Sequence, residues 1–241
     1  MSQSKAVELL FAGYLDLDLF LQKEYLPYML IELYIKDYIA DAYYKDISFD
    51  NAVCGEWELK KDCYAPYEIF VRDDFVYDSL KVLPQLGYFN EEFQFPAVYQ
   101  NGALWMSVTP NEINTMKLPV ESAKGKVLTF GLGLGYFAYM CSLKEEVESV
   151  TVVEKDKSVI KLFNEIILPQ FSQKDKVKIV LSDAYDYLNG VRDGEFDYAF
   201  VDIYHDAGDG REIYRKFKKI QSRFNLTEFD YWIEKTIKYY L

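Results

Sequence analysis

The stretch that decides the fold is residues 130–136, with the sequence Phe-Gly-Leu-Gly-Leu-Gly-Tyr. A short apolar run, Val127–Phe130, comes before the glycines, and an apolar segment of helical length, Phe137–Leu143, comes after them. Glycines suit such a turn because its backbone is tight and can approach a ligand closely at the positive end of a helix. A strand-to-helix turn without a ligand is the alternative interpretation, but the flanking strand and helix favour a binding site.

Short apolar runs recur along the chain from residue 127 onward, separated by segments with helical length and periodicity. The runs are Val127–Phe130, Val150–Val153, Val177–Leu181 and Tyr198–Val201. Continuous apolar runs are typical of buried parallel strands, and the right-handed rule for crossovers places them in one sheet. The sequence therefore predicts an α/β fold with a Rossmann-like, doubly wound, mostly parallel sheet of strand order 3-2-1-4.

The end of the chain indicates that this sheet is shortened. Residues 211–224 and 227–240 have helical patterns, so no further strand is expected after strand four. Strand four would then have an open edge, which needs a partner or a cover. The N-terminal helices, the hairpin at residues 95–108 or a second copy of the chain in a homodimer could cover it.

The N-terminal region has a different pattern. Leu, Ile and Tyr at spacings of three and four over residues 5–45 predict two helices, whereas residues 57–71 fit a strand pair and a helix equally well. We therefore divide the chain into a mainly helical region, residues 1–94, and a hairpin plus Rossmann-like domain, residues 95–241.

A hairpin and a helix start are predicted just before the glycine turn. Two apolar runs within residues 95–108 are joined by Asn101-Gly102, and these two residue types best tolerate the positive φ angles of a type I′ turn. Residues 109–112, Thr-Pro-Asn-Glu, then combine a cap hydroxyl, a first-turn proline and a glutamate. This is the pattern of a capping box, so a helix is expected to start there and to run to about Met116.

An acid, Glu154, ends the second apolar run about 20 residues after the glycines, where dinucleotide-type folds hold a ribose. Its two carboxylate oxygens can accept hydrogen bonds from both ribose hydroxyls. An isolated acid at a strand end is more often a solvated residue. In combination with the glycine turn, however, Glu154 and the adjacent Lys155 are predicted to contact a cofactor.

The spacing of the glycines distinguishes between cofactors. Nicotinamide and flavin sites need Gly-x-Gly-x-x-Gly or Ala, and Tyr136 takes the last of these places. The spacing Gly-x-Gly-x-Gly instead resembles motif I of the class I S-adenosylmethionine-dependent methyltransferases, and the resemblance extends over residues 95–220. The branch that the chain resembles most is the spermidine synthase group. In that group a hairpin with a glycine turn and an acid-bearing helix precede the glycine loop, as Asn101-Gly102 and Glu112 do here.

The resemblance implies S-adenosylmethionine as the cofactor and a set of residues that bind it. Asp183 would meet the adenine amino group, and the backbone N–H of Ala184 would lie near the ring. Asp202, at the end of the fourth apolar run, would lie beside the reacting centre. The cofactor-binding residues predicted from the motifs and the resemblance are Gly131, Gly133, Gly135, Glu154, Lys155, Asp183 and Ala184.

The chain also departs from the spermidine synthase pattern. Those enzymes carry an Asp in the glycine loop where this chain has Leu134, and an Asp-Ser-Ser-Asp stretch where it has residues 202–205, Asp-Ile-Tyr-His. Many methyltransferases have an acid where this chain has Thr129. The missing loop acid disfavours binding of a decarboxylated cofactor, so methyl transfer is predicted ahead of aminopropyl transfer.

Asp202 and His205 are the candidate catalytic residues. Strand-end acids lie in the crevice where these sheets bind ligands, and Asp202 could accept a proton or orient an amine. A histidine can act as a general base at neutral pH, although a single one is more often an ordinary loop residue. Asp202, Asp206 and Asp209 could hold a divalent cation, but their spacing matches no established loop, and no metal is predicted.

Charge and cysteine content argue against several function classes. The formal net charge of -12 and a sequence pI near 4.7 repel polyanions, so nucleic acid is not expected as a partner. Cys54, Cys63 and Cys141 form no metal-binding pair and fit the reduced thiols of a cytoplasmic protein. Acids such as Glu8 and Asp16 interrupt the apolar start, and no segment has the length of a membrane span, so neither a signal peptide nor a membrane is expected.

The predicted function is that of a cytoplasmic S-adenosylmethionine-dependent methyltransferase acting on a small molecule, with an amine as the candidate acceptor. Two alternatives stay open. One is a spermidine synthase-like aminopropyltransferase, and the other is a protein that binds S-adenosylmethionine without catalysis.

Overall fold

The computed structural model of this protein describes residues 2–16, 18, 24–78 and 81–241. The helices are α1 (Gln3–Tyr14), α2 (Leu26–Met29), α3 (Ile35–Ile39), α4 (Ala42–Asp46), α5 (Pro110–Ser122), α6 (Tyr136–Ser142), α7 (Lys157–Leu162), α8 (Ala184–Gly190), α9 (Ala207–Gln221) and α10 (Glu234–Tyr239). The strands are β1 (Leu30–Leu33), β2 (Ala52–Cys54), β3 (Trp57–Tyr64), β4 (Phe70–Asp78), β5 (Lys81–Phe89), β6 (Phe93–Gln100), β7 (Ala103–Ser107), β8 (Gly125–Phe130), β9 (Val147–Glu154), β10 (Val177–Leu181), β11 (Tyr198–Val201) and β12 (Glu228–Tyr231). None of these helices is both long and apolar enough to cross a membrane.

The predicted parallel sheet is formed by strands in the order β10-β9-β8-β11-β12, each parallel to its neighbours. Its centre is buried on both faces, since β11 is buried at every residue and β8 at its last four. On one face Phe137 of α6 stacks on Phe200, with ring centroids 4.5 Å apart. On the other face Phe217 of α9 meets Phe130 at 5.2 Å. The predicted α/β fold with a Rossmann-like sheet is therefore confirmed.

Strand β12 corrects the prediction for the end of the chain. The sequence predicts one helix over residues 227–240, but Glu228–Tyr231 pairs with β11, and only α10 after it is helical. The open edge of β11 offers unpaired backbone groups, and pairing with them outweighs the local helical pattern. The predicted open edge at strand four is therefore wrong, so neither the hairpin nor a second copy of the chain is needed to cover it.

The N-terminal region contains more strand than the sequence predicts. Helix α1 is present as expected, but the second predicted helix is divided among α2, β1, α3 and α4. Residues 17 and 19–23 of this segment lie outside the described residues. Between residues 52 and 89 the regular elements are strands, so the prediction that residues 1–94 are mainly helical is wrong there. Leu, Ile and Tyr are frequent throughout and fall at helical spacings even where strand pairing decides the structure.

Two smaller sheets, of order β1-β5-β4 and β2-β3-β6-β7, are built mainly from this region. The second one extends across the predicted division between residues 94 and 95, because β6 pairs with β3 along its whole length. That division stays a prediction. The predicted hairpin is present as β6 and β7, and its turn has φ angles of +52° at Asn101 and +77° at Gly102, as a type I′ turn requires.

The helix after the hairpin starts at the predicted place but ends later, at Ser122. The predicted capping box is absent, because the side chain of Thr109 makes no cap hydrogen bond. Pro110 opens the helix without one, since a proline at this position has no N–H to satisfy. Glu112, the predicted partner in the capping box, is buried instead and lines a cavity.

Candidate active site

A cavity of about 470 Å³ lies where β8, β9, β10 and β11 end. The hairpin and α5 form the opposite wall, with side chains that include Trp105, Met106, Glu112 and Met116. The tertiary structure brings the predicted site residues together around this space, with the exception of Gly135. The predicted residues that line it are Gly131, Gly133, Glu154, Lys155, Asp183, Ala184, Asp202 and His205.

Two glycines of the turn allow close approaches at the cavity wall. At Gly131 φ is +96°, and a Cβ atom would lie 2.0 Å from the backbone oxygen of Asp202. At Gly133 φ is +49°, and a Cβ atom would lie 3.0 Å from Sδ of Met106. The absence of a side chain at Gly131 therefore lets the turn contact the end of β11. At Gly133 it lets the side chain of Met106, on the hairpin, pack closely against the turn.

Gly135 has a packing role in this structure. Its φ is +74°, and a Cβ atom would lie 2.3 Å from Cε2 of Phe163, which belongs to the core. Gly135 does not line the cavity. The absence of a side chain is therefore needed for the packing of α6, while a contact between Gly135 and a cofactor stays a prediction.

The carboxylate of Glu154 is held by two backbone N–H groups. Leu132 donates to Oε2 at 3.2 Å, and Asp156 donates to Oε1 at 2.8 Å. Each oxygen of a carboxylate has a further lone pair, so Glu154 can still accept hydrogen bonds from a ligand. The bond from Leu132 also ties this acid to the glycine turn, which orients the two predicted parts of a nucleoside site relative to each other.

Replacement of Glu154 by Ala is expected to weaken binding of S-adenosylmethionine by about 1–3 kcal/mol, because the ribose hydroxyls lose a charged acceptor. Isothermal titration calorimetry measures the change. Glu148→Ala is the matched control, because Glu148 is exposed on the same strand and does not line the cavity. This variant should bind S-adenosylmethionine with the affinity of the parent. An unchanged dissociation constant for Glu154→Ala would show that the ribose contact is misassigned.

Asp183 and Ala184 lie at the start of α8, on the side predicted to receive adenine. Asp183 caps this helix, because its Oδ1 accepts hydrogen bonds from the N–H groups of Tyr185 at 2.8 Å and Asp186 at 3.3 Å. Both of these bonds use the same oxygen, so Oδ2 is left to accept from an amino group. The cap therefore fixes the acid in a position that is compatible with its predicted role.

Two carboxyl groups, those of the buried Glu112 and the half-buried Asp202, line the same cavity. Glu112 is 6% exposed, and among the residues that the structure describes its Oε1 has no hydrogen-bond partner. Burial raises the pKa of Glu112 well above its ordinary value, and the neighbouring Asp202 raises it further. Burial also raises the pKa of Asp202 to about 7. Because an unpaired buried carboxylate is costly, this pair favours either a bound proton or a cationic ligand.

Sequence reasoning assigns Glu112 to a helix cap and misses its place in the site. The signal that could have found it is its spacing from Met116, four residues later and only 1% exposed. Residues four apart share one face of a helix, so Glu112 is an acid on the buried face of α5. Such an acid needs a partner, but the nearby acid at the end of β11, Asp202, only raises the pKa of Glu112 further.

His205 lies at the rim of the cavity. Its ring is 4.1 Å from that of Trp105 between centroids, in an edge-to-face arrangement. Its Nδ1 lies 3.7 Å from Oδ2 of Asp209, and its side chain is 43% exposed. The structure therefore places His205 at the cavity wall, in contact with Trp105 and Asp209, and its role as a general base stays a prediction.

Asp206 and Asp209, the other acids of this loop, form the start of α9. Asp206 accepts hydrogen bonds from Gly208 and Asp209, and Asp209 accepts one from the N–H of Asp206, which makes a capping box. In the described part of the chain, no three His, Cys, Asp or Glu side chains are grouped as metal ligands. The structure thus gives both aspartates a helix-capping function.

Leu134, where the chain departs from the spermidine synthase pattern, is a core residue. Leu134 is fully buried and does not line the cavity, and its carbonyl accepts a hydrogen bond from the Tyr43 hydroxyl at 2.7 Å. Thr129, at the other departure, does line the cavity. The acids in the cavity wall are Glu112, Glu154, Asp183 and Asp202, against the basic side chains of Lys155 and His205.

Comparison with protein families identifies one match. Residues 112–226 match the family described as Spermine/spermidine synthase domain. The predicted resemblance to the spermidine synthase branch is therefore confirmed over these residues. No curated protein sequence matches the chain.

Several solved structures are similar to this chain at low sequence identity. A spermidine synthase from Thermotoga maritima is 15% identical, over 69% of this chain and 63% of that chain, with a TM-score of 0.41. A spermidine synthase in complex with the transition state analogue AdoDATO is 15% identical over 61% of each chain, with a TM-score of 0.42. A protein assigned as an O-methyltransferase from Klebsiella pneumoniae is 17% identical, over 46% of this chain and 49% of that chain, with a TM-score of 0.35. The chain thus spans between 49% and 63% of the lengths of these proteins.

Proposed function

We propose, with the spermine/spermidine synthase match of residues 112–226 as the premise, that this protein transfers an alkyl group from an S-adenosyl sulfonium to the nitrogen of a small amine. The observation that carries the proposal is the carboxyl pair of the buried Glu112 and the half-buried Asp202, which lines the same cavity as Gly131 and Glu154. Buried carboxylates need a positively charged partner, and both a sulfonium and an ammonium group supply one.

The residues around the cavity fit an S-adenosyl cofactor. Gly131 and Gly133 expose backbone without side chains, the Glu154 carboxylate can still accept hydrogen bonds from ribose hydroxyls, and Oδ2 of Asp183 can accept one from the adenine amino group. Acids outnumber bases in the wall, which suits a ligand with a positive charge and no phosphate. When bound, such a cofactor supplies an electrophilic carbon whose bond to sulfur breaks as its bond to the acceptor nitrogen forms.

Glu112 and Asp202 would hold the acceptor amine and take its proton. An amine that arrives as an ammonium ion has no free lone pair, so a proton must move to a carboxylate before the nitrogen can react. The pKa of Asp202, about 7, suits that transfer near neutral pH. Glu112, whose pKa is raised well above its ordinary value by burial, can orient the amine by a hydrogen bond. Positioning of the nitrogen in line with the breaking bond then accounts for much of the rate.

Turnover is expected to rise with pH up to about neutrality. Burial raises the pKa of Asp202 to about 7, so below this value the carboxyl group is protonated and cannot take the proton of the amine. A plot of kcat/KM against pH should therefore increase and level off above about 7. In Asp202→Asn the residual rate should lose this rise. A parent rate that does not change between mildly acidic and mildly alkaline pH would contradict the assignment of Asp202.

Methyl transfer from S-adenosylmethionine is the form of this reaction that we propose first. Leu134 replaces the loop acid that would hold the amino group of a decarboxylated cofactor, and its side chain is buried away from the cavity. Aminopropyl transfer is the second candidate. The family match favours it, and the unpaired Oε1 of Glu112 could hold the same amino group from the helix side.

Product analysis with two donors tests the proposal. The protein is incubated with S-adenosylmethionine or with decarboxylated S-adenosylmethionine, each together with small amines such as ethylamine and 1,4-diaminobutane. Formation of S-adenosylhomocysteine indicates methyl transfer, and formation of 5′-methylthioadenosine indicates aminopropyl transfer. Glu112→Gln should impair the second reaction most if Glu112 holds the donor amino group. Binding of either donor without any product would overturn the proposed reaction and leave a protein that only binds the cofactor.

A further inference from the structure

A second cavity, of about 530 Å³, adjoins the candidate active site. Asn111, His205 and Trp232 line both cavities. Side chains such as Phe75 and Tyr240 give the second cavity much of its apolar wall. The two spaces are therefore separated by a thin partition of three side chains, at the end of the first cavity where Asp202 and its neighbours lie.

Trp232 is the bulkiest member of this partition and is held from several directions. Its indole Nε1–H donates to Oγ1 of Thr115 at 2.9 Å. Its backbone N–H donates to the carbonyl of Val201 at 3.1 Å, and its own carbonyl accepts a hydrogen bond from the Tyr204 hydroxyl. Thr115 lies three residues after Glu112 on α5, so the indole is bonded to the helix that carries the buried acid.

The backbone after Trp232 supports a fixed position for the indole. Ile233 has φ +44° and ψ +38°, in the left-handed region that β-branched residues rarely adopt. Such conformations persist only where the surrounding structure enforces them, and they often occur at ligand sites. Ile233 itself lines the second cavity. The strained turn between β12 and α10 thus places Trp232 between the two spaces.

Most charged groups of the second cavity already have partners within the protein. Asp73 accepts the N–H of Asp74, Asp74 accepts the hydroxyl of Thr236, and Asp206 caps α9. Arg211 differs, because among the described residues its buried Nε has no hydrogen-bond partner. With most polar groups satisfied, the surface that remains for a ligand is mainly apolar.

We propose that Trp232 sets the maximum length of the acceptor by closing the first cavity against the second. This inference rests on the proposed function, in which Glu112 and Asp202 hold the amino group of the acceptor. An amine with a short apolar tail fits the first cavity, whereas a longer tail meets the indole of Trp232. Removal of the indole joins the two spaces, and each methylene that then becomes buried is worth about fourfold in affinity.

The experiment measures binding and turnover of linear alkylamines, from ethylamine to decylamine, for the parent and for Trp232→Ala. Binding is measured by calorimetry in the presence of S-adenosylhomocysteine, so it does not depend on turnover. In the parent, affinity should rise with chain length and then stop rising. In Trp232→Ala it should continue to rise over several more methylenes, which gives the longest amines at least about a tenfold gain relative to the shortest.

Matched variants separate the partition from other effects of the substitution. Trp232→Phe keeps an aromatic ring but loses the Nε1–H, and it should keep a length limit close to that of the parent. Met116→Ala enlarges the first cavity only, so it should not extend the range of chain lengths. Phe75→Trp, added to Trp232→Ala, fills the second cavity and should remove the gain. Trp232→Leu gives a smaller gain of the same kind if the alanine variant proves unstable.

The outcomes distinguish this inference from the proposed function. A folded Trp232→Ala or Trp232→Leu protein with the length profile of the parent would overturn the role of Trp232. A changed binding profile without turnover in any variant would support the role of Trp232 and overturn the transferase reaction. Failure of the parent to bind any of these amines would overturn both.

Discussion

Replacement of Asp202 by Asn is expected to lower kcat by about 10²–10⁴-fold, because an amide cannot take the proton of the acceptor amine. Asn has nearly the same shape as Asp. The close contact between this residue and Gly131 involves the backbone oxygen of residue 202, which the substitution keeps. Affinity for the cofactor should therefore stay within about twofold of that of the parent.

Single-turnover assays and calorimetry with S-adenosylhomocysteine measure these two quantities separately. Asp230→Asn is the matched control. Asp230 lies on the neighbouring strand β12, accepts a hydrogen bond from the Tyr198 hydroxyl at 3.1 Å and does not line the cavity. Its kcat should stay close to that of the parent. A kcat for Asp202→Asn within about threefold of the parent would show that this acid is not the proton acceptor.

The second large effect is expected for Gly131→Ala, which should lower the free energy of unfolding by about 3 kcal/mol or more and abolish cofactor binding. A Cβ atom there would lie 2.0 Å from the backbone oxygen of Asp202, at a φ of +96°. Neither segment can move away easily. Gly131 donates its N–H to Val153 at 3.0 Å, and Asp202 donates its N–H to Phe130 at 3.1 Å, so a shift would break bonds between strand ends.

Gly102→Ala separates this clash from the general cost of alanine at positive φ. Gly102 has φ +77°, but no atom lies within 4 Å of the place where its Cβ would be. Its replacement should therefore cost only about 1 kcal/mol. Urea denaturation measures both free energies, and calorimetry measures cofactor binding by the folded protein. Equal losses in the two variants would show that the contact between Gly131 and Asp202 is not what the glycine turn requires.

Local patterns were sufficient to predict four of the five strands of the central sheet, and the hairpin. The run Tyr198–Val201 is apolar at every residue and can be buried on both faces, which is why it lies in the middle of the sheet. The turn at Asn101-Gly102 depends on the φ preferences of those two residues alone. In both cases the residues whose pattern predicts the element are the same residues that form it.

Strand pairing over long distances could not be predicted in the same way. The segment Glu228–Tyr231 becomes a strand because β11 offers it an open edge, and β3 becomes a strand because β6 pairs with it. Taken alone, both segments are also compatible with a helix. Gly135 is a similar case, since the aromatic ring that excludes a side chain there comes from Phe163.

By itself, the sequence determined the α/β architecture, the glycine turn and the acids at the strand ends, because each depends on residue types that are adjacent in the chain. Only the tertiary structure decided that the buried Glu112 and the half-buried Asp202 line one cavity, and that Trp232 lies between two cavities. Burial, raised pKa values and cavity walls arise where distant segments meet. The reaction that we propose therefore depends on contacts between distant segments as much as on the glycine turn.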